Sequence, residues 1–116
     1  MSTADSKASS SSTILVATDL DGTFGRKVSP APPSPPTICI SGRTFGDYDR
    51  VAKAVAQEMP VYIRGTGRAG DAIAAGHFKA DMIQLLGVTH FLEDDLVCAT
   101  IIRQRCPTVK VLMVSL

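Results

Sequence analysis

The sequence lacks the features that would assign it to a membrane, secretory or zinc-binding class. No run approaches the roughly 18 consecutive apolar residues of a membrane span, and residues 1–12 (MSTADSKASSSS) lack the apolar core of a secretory signal. The three cysteines, Cys39, Cys98 and Cys106, form no C-x-x-C pair, which argues against zinc and favours buried, reduced thiols. We therefore expect a soluble, cytoplasmic protein without a membrane partner.

An excess of charge of one sign is also missing. Twelve basic and eleven acidic residues give a formal net charge of +1. No strong overall field therefore recruits nucleic acid or an acidic membrane, and only a local basic patch would do so.

The composition is that of an ordinary globular domain. The chain has 116 residues, of which 45% are hydrophobic and 20% are charged. Domains commonly contain roughly 50 to 200 residues, so one core is expected and a second domain is excluded. We predict a single domain over residues 13–116, preceded by a flexible, serine-rich tail over residues 1–12.

Short apolar segments alternate with amphipathic segments along the chain. Strands are predicted at residues 13–18, 37–40, 61–64, 88–92 and 109–114. Helices are predicted over residues 47–59, over a stretch that ends at Leu86 before Gly87 and contains a potential break at Gly76, and over residues 95–105. This alternation predicts an α/β fold: a three-layer, doubly wound, Rossmann-like parallel sheet of about five strands.

The first predicted helix has an apolar stripe. Val51, Val55 and Met59 recur at a spacing of four residues, which places them on one helical face. We expect this face to pack against the sheet, and Pro60 to end the helix.

Residues 24–37 (FGRKVSPAPPSPPT) contain five of the seven prolines. Because proline lacks the donor N–H, this density excludes a helix and a central strand. We predict a stiff surface loop tethered at both ends to strands. A second interpretation of its APPSPP segment is a polyproline ligand for an aromatic groove.

Acidic side chains follow two of the predicted strands. Asp19 and Asp21 follow the first strand, and the acidic residues of FLEDD follow the fourth. Ligands of such sheets bind outside the C-terminal ends of the strands, so these carboxylates should converge. Carboxylates in one crevice repel one another and are normally held by a cation, for which Mg²⁺ is the obvious candidate.

The order of the motifs resembles that of the haloacid dehalogenase superfamily. The strand followed by DLDGT matches its first motif, and Ser41 after ICI matches the second. Lys79 before ADMIQLL matches the third, and the acidic pair in FLEDD matches the fourth. The resemblance extends from Thr13 to the C-terminus and implies a fold of that type.

This resemblance implies a magnesium-dependent phosphatase that acts on a phosphate monoester. Asp19 would be the nucleophile that forms an aspartyl-phosphate, and Asp21 would be the general acid and then the base. Ser41 and Lys79 would stabilise the phosphoryl oxygens and complete the catalytic set. The implied substrate-binding residues are Ser41, Gly42, Arg43 and Lys79.

The resemblance also implies the ligands of the metal. Asp19 and the backbone carbonyl of Asp21 would bind Mg²⁺ together with the acidic pair after the fourth strand. Alignment on the preceding apolar run favours Glu93 and Asp94 as that pair, and leaves Asp95 to cap the next helix.

The chain has little room for the cap domain that larger members of this superfamily carry. Only the 14-residue proline-rich loop follows the first motif, and the residues between Ser41 and Lys79 are needed for the core. We expect a capless enzyme whose open cleft accepts a bulky phosphorylated substrate or is closed by another subunit.

Two alternative functions stay open. The open cleft and several arginines are compatible with a phosphatase that acts on phosphate at a nucleic-acid end. The small size and the irregular loop in place of a flap are compatible with a non-catalytic binding module that keeps the fold.

The segment GTGRAG, residues 65–70, fits the pattern G-x-G-x-x-G of a dinucleotide-binding loop. That loop normally follows the first strand, with an acidic residue about 20 positions later. Here it follows the third strand, and the corresponding residue is Leu85. We expect instead a loop at the rim of the site, with Arg64 or Arg68 near the anionic part of the substrate.

Overall fold

The computed structural model describes residues 13–114, in which five strands form one sheet. The strands are β1 (Val16–Thr18), β2 (Ile38–Thr44), β3 (Val61–Gly65), β4 (His90–Glu93) and β5 (Lys110–Met113). The α-helices of this region are α1 (Arg50–Ala56), α2 (Ala72–Leu86) and α3 (Leu96–Arg105), and a 3-10 turn, Phe45–Asp47, precedes α1. The strand order is β3-β2-β1-β4-β5, and all neighbouring strands are parallel.

This architecture confirms the predicted α/β class and the parallel sheet of five strands. The chain adds strands on one side of β1 as far as β3, then crosses back to place β4 on the other side. The reversal beside β1 creates a crevice at the C-terminal ends of the central strands. The predicted tail at residues 1–12 lies outside the described residues.

One face of the sheet is covered by α2 and α3. Successive residues of a strand point to opposite faces, and Ala17, Ile40 and Phe91 of the three central strands share this face. They form one buried cluster with residues from both helices, including Ala80, Ile83 and Ile102. Both helices are therefore held on the sheet by apolar burial.

The opposite face is partly covered by α1. Cys39 of β2 points away from its neighbour Ile40 and packs with Ala52 and Val55. Helices therefore lie on both faces of the sheet, which is compatible with the predicted Rossmann-like arrangement.

The proline-rich segment, residues 24–37, contains no helix and is anchored to the sheet. Val28 packs with Val16 and Leu92 in a small buried cluster. It also forms an isolated antiparallel bridge with Val114. The segment therefore covers part of a sheet face that α1 does not reach.

Helix α1 differs from its prediction in its start and in its buried face. It begins at Arg50, because the carboxylate of Asp49 caps it by accepting from the N–H groups of Val51 and Ala52. Val51 is 55% exposed, whereas Ala52 and Val55 are buried. The predicted stripe is therefore wrong at Val51, because the helix packs through residues spaced by three.

Helix α1 also ends earlier than predicted, at Ala56 and not at residue 59. The end of α2 and the start of α3 follow their predictions. Gly87 ends α2 in the left-handed conformation, with φ +76°, and Asp95 caps α3 by accepting from the N–H of Cys98. Strand β1 begins at Val16, later than predicted, because the N–H of Leu15 bonds to a threonine hydroxyl and not to a strand carbonyl.

The structure also tests the expectation of buried, reduced cysteines and describes the lengths of the helices. All three cysteines are free and buried, as predicted. Among residues 13–114, no helix has the length and apolar character needed to cross a membrane.

Helix α2 runs without a break through Gly76, which lies against α3. A Cβ atom at this position would lie 2.8 Å from Cδ1 of Ile101 and 3.2 Å from Cα of Cys98. The absence of a side chain therefore lets the two helices approach closely.

We predict that Gly76→Ala destabilises the protein by about 1–3 kcal/mol through overpacking, although alanine has the higher helix propensity. Urea unfolding monitored by circular dichroism measures the change. Ile101→Val removes the Cδ1 atom, so the double variant should lose less stability than the sum of the two single variants. A Gly76→Ala protein more stable than the wild type would contradict this account.

Candidate functional site

Two buried carboxylates meet at the C-terminal ends of β1 and β4. The N–H of Asp19 donates to the carbonyl of Leu92 at 2.9 Å, which continues the pairing of the two strands beyond β1. Asp19 is 3% exposed and Glu93, the last residue of β4, is fully buried. The parallel pairing of neighbouring strands thus brings together two acidic residues 74 positions apart.

Lys79 of α2 lies between these two carboxylates. Its Nζ atom is 3.1 Å from Oδ1 of Asp19 and 2.8 Å from Oε1 of Glu93. The packing of α2 on the sheet buries Lys79, so that its ammonium group neutralises part of a buried negative charge. Of the residues predicted to bind phosphate, Lys79 is the one in direct contact with the proposed nucleophile.

Glu93 is held by the protein through both of its oxygens. Oε1 binds Lys79, and Oε2 accepts from the backbone N–H groups of Asp94 and Asp95, each at 3.1 Å. A buried carboxylate needs such partners, because an unpaired buried charge is strongly unfavourable. Glu93 therefore also shapes the turn that carries Asp94.

Thr23, the threonine of DLDGT, connects the first and last acidic motifs. Its Oγ1 lies 3.3 Å from Oδ2 of Asp19 and 3.2 Å from Oδ1 of Asp94. A hydroxyl has one proton to donate, so it satisfies one of the two carboxylates at a time. The other carboxylate then lacks this hydrogen bond.

The acidic residues around Thr23 fit a divalent cation. Asp19, Glu93 and Asp94 each offer one carboxylate oxygen, and these atoms lie within 4.8 Å of one another. Hard oxygen donors of this kind suit Mg²⁺ or Ca²⁺. Lys79 supplies one positive charge against three carboxylates, so a cation would complete the balance of charge. The side chain of Asp95 instead caps α3.

Burial changes the proton affinities in this group. It raises the pKa of Asp19 to about 8; the Lys79 ammonium opposes this rise and the Glu93 carboxylate adds to it. Burial acts to lower the pKa of Lys79, but the carboxylates of Asp19 and Glu93 outweigh it and raise that pKa above its ordinary value. Lys79 therefore stays charged, and Asp19 is the residue whose ionisation a bound cation would promote.

Asp21 is oriented differently from Asp19. Its carboxylate is 60% exposed and is bound by Arg43, with Nη2 2.7 Å from Oδ1 and Nε 3.2 Å from Oδ2. Nη1 of the same guanidinium lies 2.7 Å from Oδ1 of Asp49 and 2.7 Å from the carbonyl oxygen of Asp47. The Arg43 contact lowers the pKa of the Asp49 carboxyl.

Ser41 lies behind the wall of the site. It is fully buried, and its Oγ accepts from the N–H of Arg43 at 3.1 Å. Strand β2 continues past Ser41 to Thr44 with an irregular register, so that Gly42 and Arg43 form the wall at this place. The structure therefore places Ser41 beside the site residues and directs its hydroxyl oxygen to the backbone.

A cavity of about 550 Å³ opens above these residues. Among the described residues, its lining includes eight carboxylates and three cationic side chains. The carboxylates belong to Asp19, Asp21, Asp47, Asp49, Asp71, Glu93, Asp94 and Asp95, and the cations to Arg43, Arg64 and Lys79. The cavity is strongly acidic, in contrast to the nearly neutral chain.

Arg64 supports the glycine-rich turn. Its guanidinium donates to the carbonyls of Gly42, Thr66 and Arg68 at 2.7–3.0 Å. Asp71, at the end of the turn, caps α2 by accepting from Ala74. A carboxylate at this helix N-terminus would repel a pyrophosphate, which supports the rejection of a dinucleotide-binding loop.

Three further residues belong to the site and were not predicted from the sequence. The signal for Thr23 was its place in DLDGT, and the signal for Asp49 was its position before a helix. Cys98 carried no signal, yet its Sγ is 3.7 Å from Nζ of Lys79. Burial raises the pKa of Cys98 to about 11, so this thiol stays protonated and is a poor nucleophile.

Comparison of the chain with protein-family models, with curated proteins and with solved structures found no match. Conclusions about its activity therefore rest on the geometry and chemistry of the site.

Gly22 leaves room for the carboxylate of Asp94. Its φ is +76°, and a Cβ atom there would overlap Oδ2 of Asp94. We predict that Gly22→Ala weakens Mg²⁺ binding roughly tenfold or more, because it displaces one carboxylate of the group. Isothermal titration calorimetry measures the affinity.

Gly25→Ala is the matched control for this substitution. Gly25 has nearly the same backbone conformation, φ +78°, with no atom within 4 Å of its added Cβ. Both variants carry a strain of about 1–2 kcal/mol, but only Gly22→Ala should change Mg²⁺ affinity. Equal affinities for the two variants would contradict a role for Asp94 in metal binding.

The raised pKa of Asp19 predicts that Mg²⁺ binding depends on pH. Below a pKa of about 8, the ion must displace a proton from Asp19, so its apparent affinity should increase up to roughly tenfold per pH unit and then level off. Calorimetry in buffers of different ionisation enthalpy should detect proton release at about pH 6.5 and almost none at about pH 9.5. Asp19→Asn should abolish this proton release, and its persistence in that variant would assign it to another group.

Proposed function

We propose that this protein is a magnesium-dependent phosphohydrolase that cleaves a phosphate monoester through an aspartyl-phosphate on Asp19. One observation carries the proposal. A buried aspartate at the end of a central strand contacts a buried lysine, and two further carboxylates lie within reach of a shared cation. This grouping supports the resemblance to the haloacid dehalogenase superfamily found in the motifs.

Asp19, Glu93 and Asp94 would hold the Mg²⁺ ion, with the backbone carbonyl of Asp21 as a further ligand. When bound, the ion supplies positive charge that offsets the gathered carboxylates and the negative charge on the phosphoryl oxygens. The buried position of Asp19 limits the access of water to its carboxylate.

The proposed reaction has two displacement steps at phosphorus. In the first, a carboxylate oxygen of Asp19 bonds to phosphorus while the bond to the leaving oxygen breaks, and Asp21 gives its proton to that oxygen. In the second, a water molecule attacks phosphorus and passes a proton to the Asp21 carboxylate. The bond between phosphorus and Asp19 breaks, which releases phosphate and restores both aspartates.

Lys79 holds Asp19 and neutralises charge on the phosphoryl group. Its contact with Oδ1 of Asp19 fixes the orientation of the nucleophile before substrate arrives. The wall formed by Gly42 and Arg43 bounds the same space. For Ser41, a direct hydrogen bond to the phosphoryl group stays a prediction: its oxygen accepts from the N–H of Arg43, and its hydroxyl proton remains to be donated.

The charge of the cavity favours a phosphate monoester over a nucleic-acid end. Of the two arginines that line the cavity, Arg43 is paired with Asp21 and Asp49, and Arg64 is hydrogen-bonded to backbone carbonyls. Nucleic-acid binding depends on cationic side chains that neutralise successive phosphates. A lining with eight carboxylates and three cationic side chains would repel a chain of several phosphates more strongly than the single phosphoryl group of a small monoester, whose charge the proposed Mg²⁺ would offset.

We predict that the protein releases phosphate from an aryl phosphate only with Mg²⁺, and that Asp19→Asn lowers the rate by about a thousandfold or more, because the nucleophile is lost. A colorimetric phosphate assay with and without a chelator measures the rate. Asp81→Asn, an exposed residue of α2 paired with Arg105, is the control and should keep full activity.

Two outcomes would contradict the proposal. Equal phosphate release by the wild type and Asp19→Asn would remove Asp19 as nucleophile. Binding of Mg²⁺ and a phosphate analogue without turnover of any ester in a broad panel would favour the non-catalytic module.

Mass spectrometry of acid-quenched Asp21→Asn should show a phosphorylated aspartate at position 19, because loss of the base slows the second step.

A further inference from the structure

Arg43 is the most highly connected side chain at the rim of the cavity. Its side chain is 14% exposed, and its guanidinium binds both oxygens of Asp21. The remaining edge binds the carboxylate of Asp49 and the carbonyl of Asp47. Four of the five N–H groups of Arg43 are therefore committed to the protein, which leaves little capacity to bind phosphate.

The partners of Arg43 are themselves held in place. Asp49 accepts from the first N–H groups of α1, at Val51 and Ala52, and Ala52 is fully buried against the sheet. A chain of short contacts therefore runs from the N-terminus of α1 through Arg43 to Asp21. A bidentate pair of arginine and carboxylate specifies geometry as well as charge.

We propose that Arg43 is a positioning residue that holds the carboxylate of Asp21 for the water-activating second step, and does not bind the phosphoryl group of the substrate. This inference rests on the proposed function. The contact leaves lone pairs on both oxygens of Asp21 and leaves the carboxylate open to solvent, so a water molecule can still reach it. Without Arg43, the exposed side chain of Asp21 would sample several rotamers.

Burst kinetics with an aryl phosphate test this role, because its leaving group departs without help from an acid. In Arg43→Met, kcat should fall roughly 10–100-fold while kcat/KM changes little, since only the second step is slowed. A rapid release of one equivalent of phenolate should precede the slow phase, and acid-quenched protein should carry phosphate on Asp19.

Two further variants separate the alternatives. Arg43→Lys keeps the charge but cannot bridge both oxygens of Asp21, so it should show the same burst with a smaller fall in kcat. Asp49→Asn keeps a good helix cap but removes the ion pair that anchors Arg43. Like Arg43→Lys, it should lower kcat and show a burst. Arg103→Met, at the end of α3 away from the cavity, is the control and should match the wild type.

The results distinguish failure of this inference from failure of the proposed function. A fall in kcat/KM with a raised KM and no phosphorylated protein in Arg43→Met would show that Arg43 binds substrate, and would overturn the inference alone. A wild-type protein that forms no aspartyl-phosphate would overturn both. Thermal unfolding of each variant identifies losses of activity that are caused by misfolding. If Arg43→Met is unfolded, the kinetics of Asp49→Asn decide whether Arg43 positions Asp21.

Discussion

The contact on which the site depends is the buried ammonium group of Lys79 between the carboxylates of Asp19 and Glu93. Charges removed from water are unfavourable unless they are paired and hydrogen-bonded. Here one lysine faces two buried carboxylates, and the backbone N–H groups after Glu93 supply the remaining partners. The surplus of negative charge stays next to the exposed Asp94, which is where a divalent cation would be most favourable.

The fold supplies this arrangement through close packing as much as through charge. Lys79 reaches the strand ends because α2 lies against both the sheet and α3. Gly76 removes the side chain that would separate α2 from α3, and Gly42 does the same between β2 and Ala75 at the start of α2. The cavity is thus bounded by closely packed elements, which favours a preorganised electrostatic site.

A second network of polar contacts lies at the rim of the cavity, above Lys79 and its two carboxylates. Arg43 and Arg64 each bind several groups of the protein, one at the start of α1 and the other in the glycine-rich turn. Both arginines therefore order loops at the rim. Arg43 is paired with carboxylates, whereas Arg64 donates only to carbonyl oxygens and keeps its positive charge. The proline-rich segment is anchored through Val28 to the sheet face, and none of its residues is among those that line the acidic cavity.

Features that depend on local pattern could be predicted from the amino-acid order alone. Apolar runs and caps such as Gly87 and Asp95 predicted the order of strands and helices, and the rule for parallel strands predicted that Asp19 and the acidic residues after β4 converge. Tertiary structure alone decided the contacts between distant positions. It turned Ser41 towards the backbone, paired Arg43 with Asp21 and exposed Val51, because these depend on how packed elements meet and not on the residues beside them in the chain.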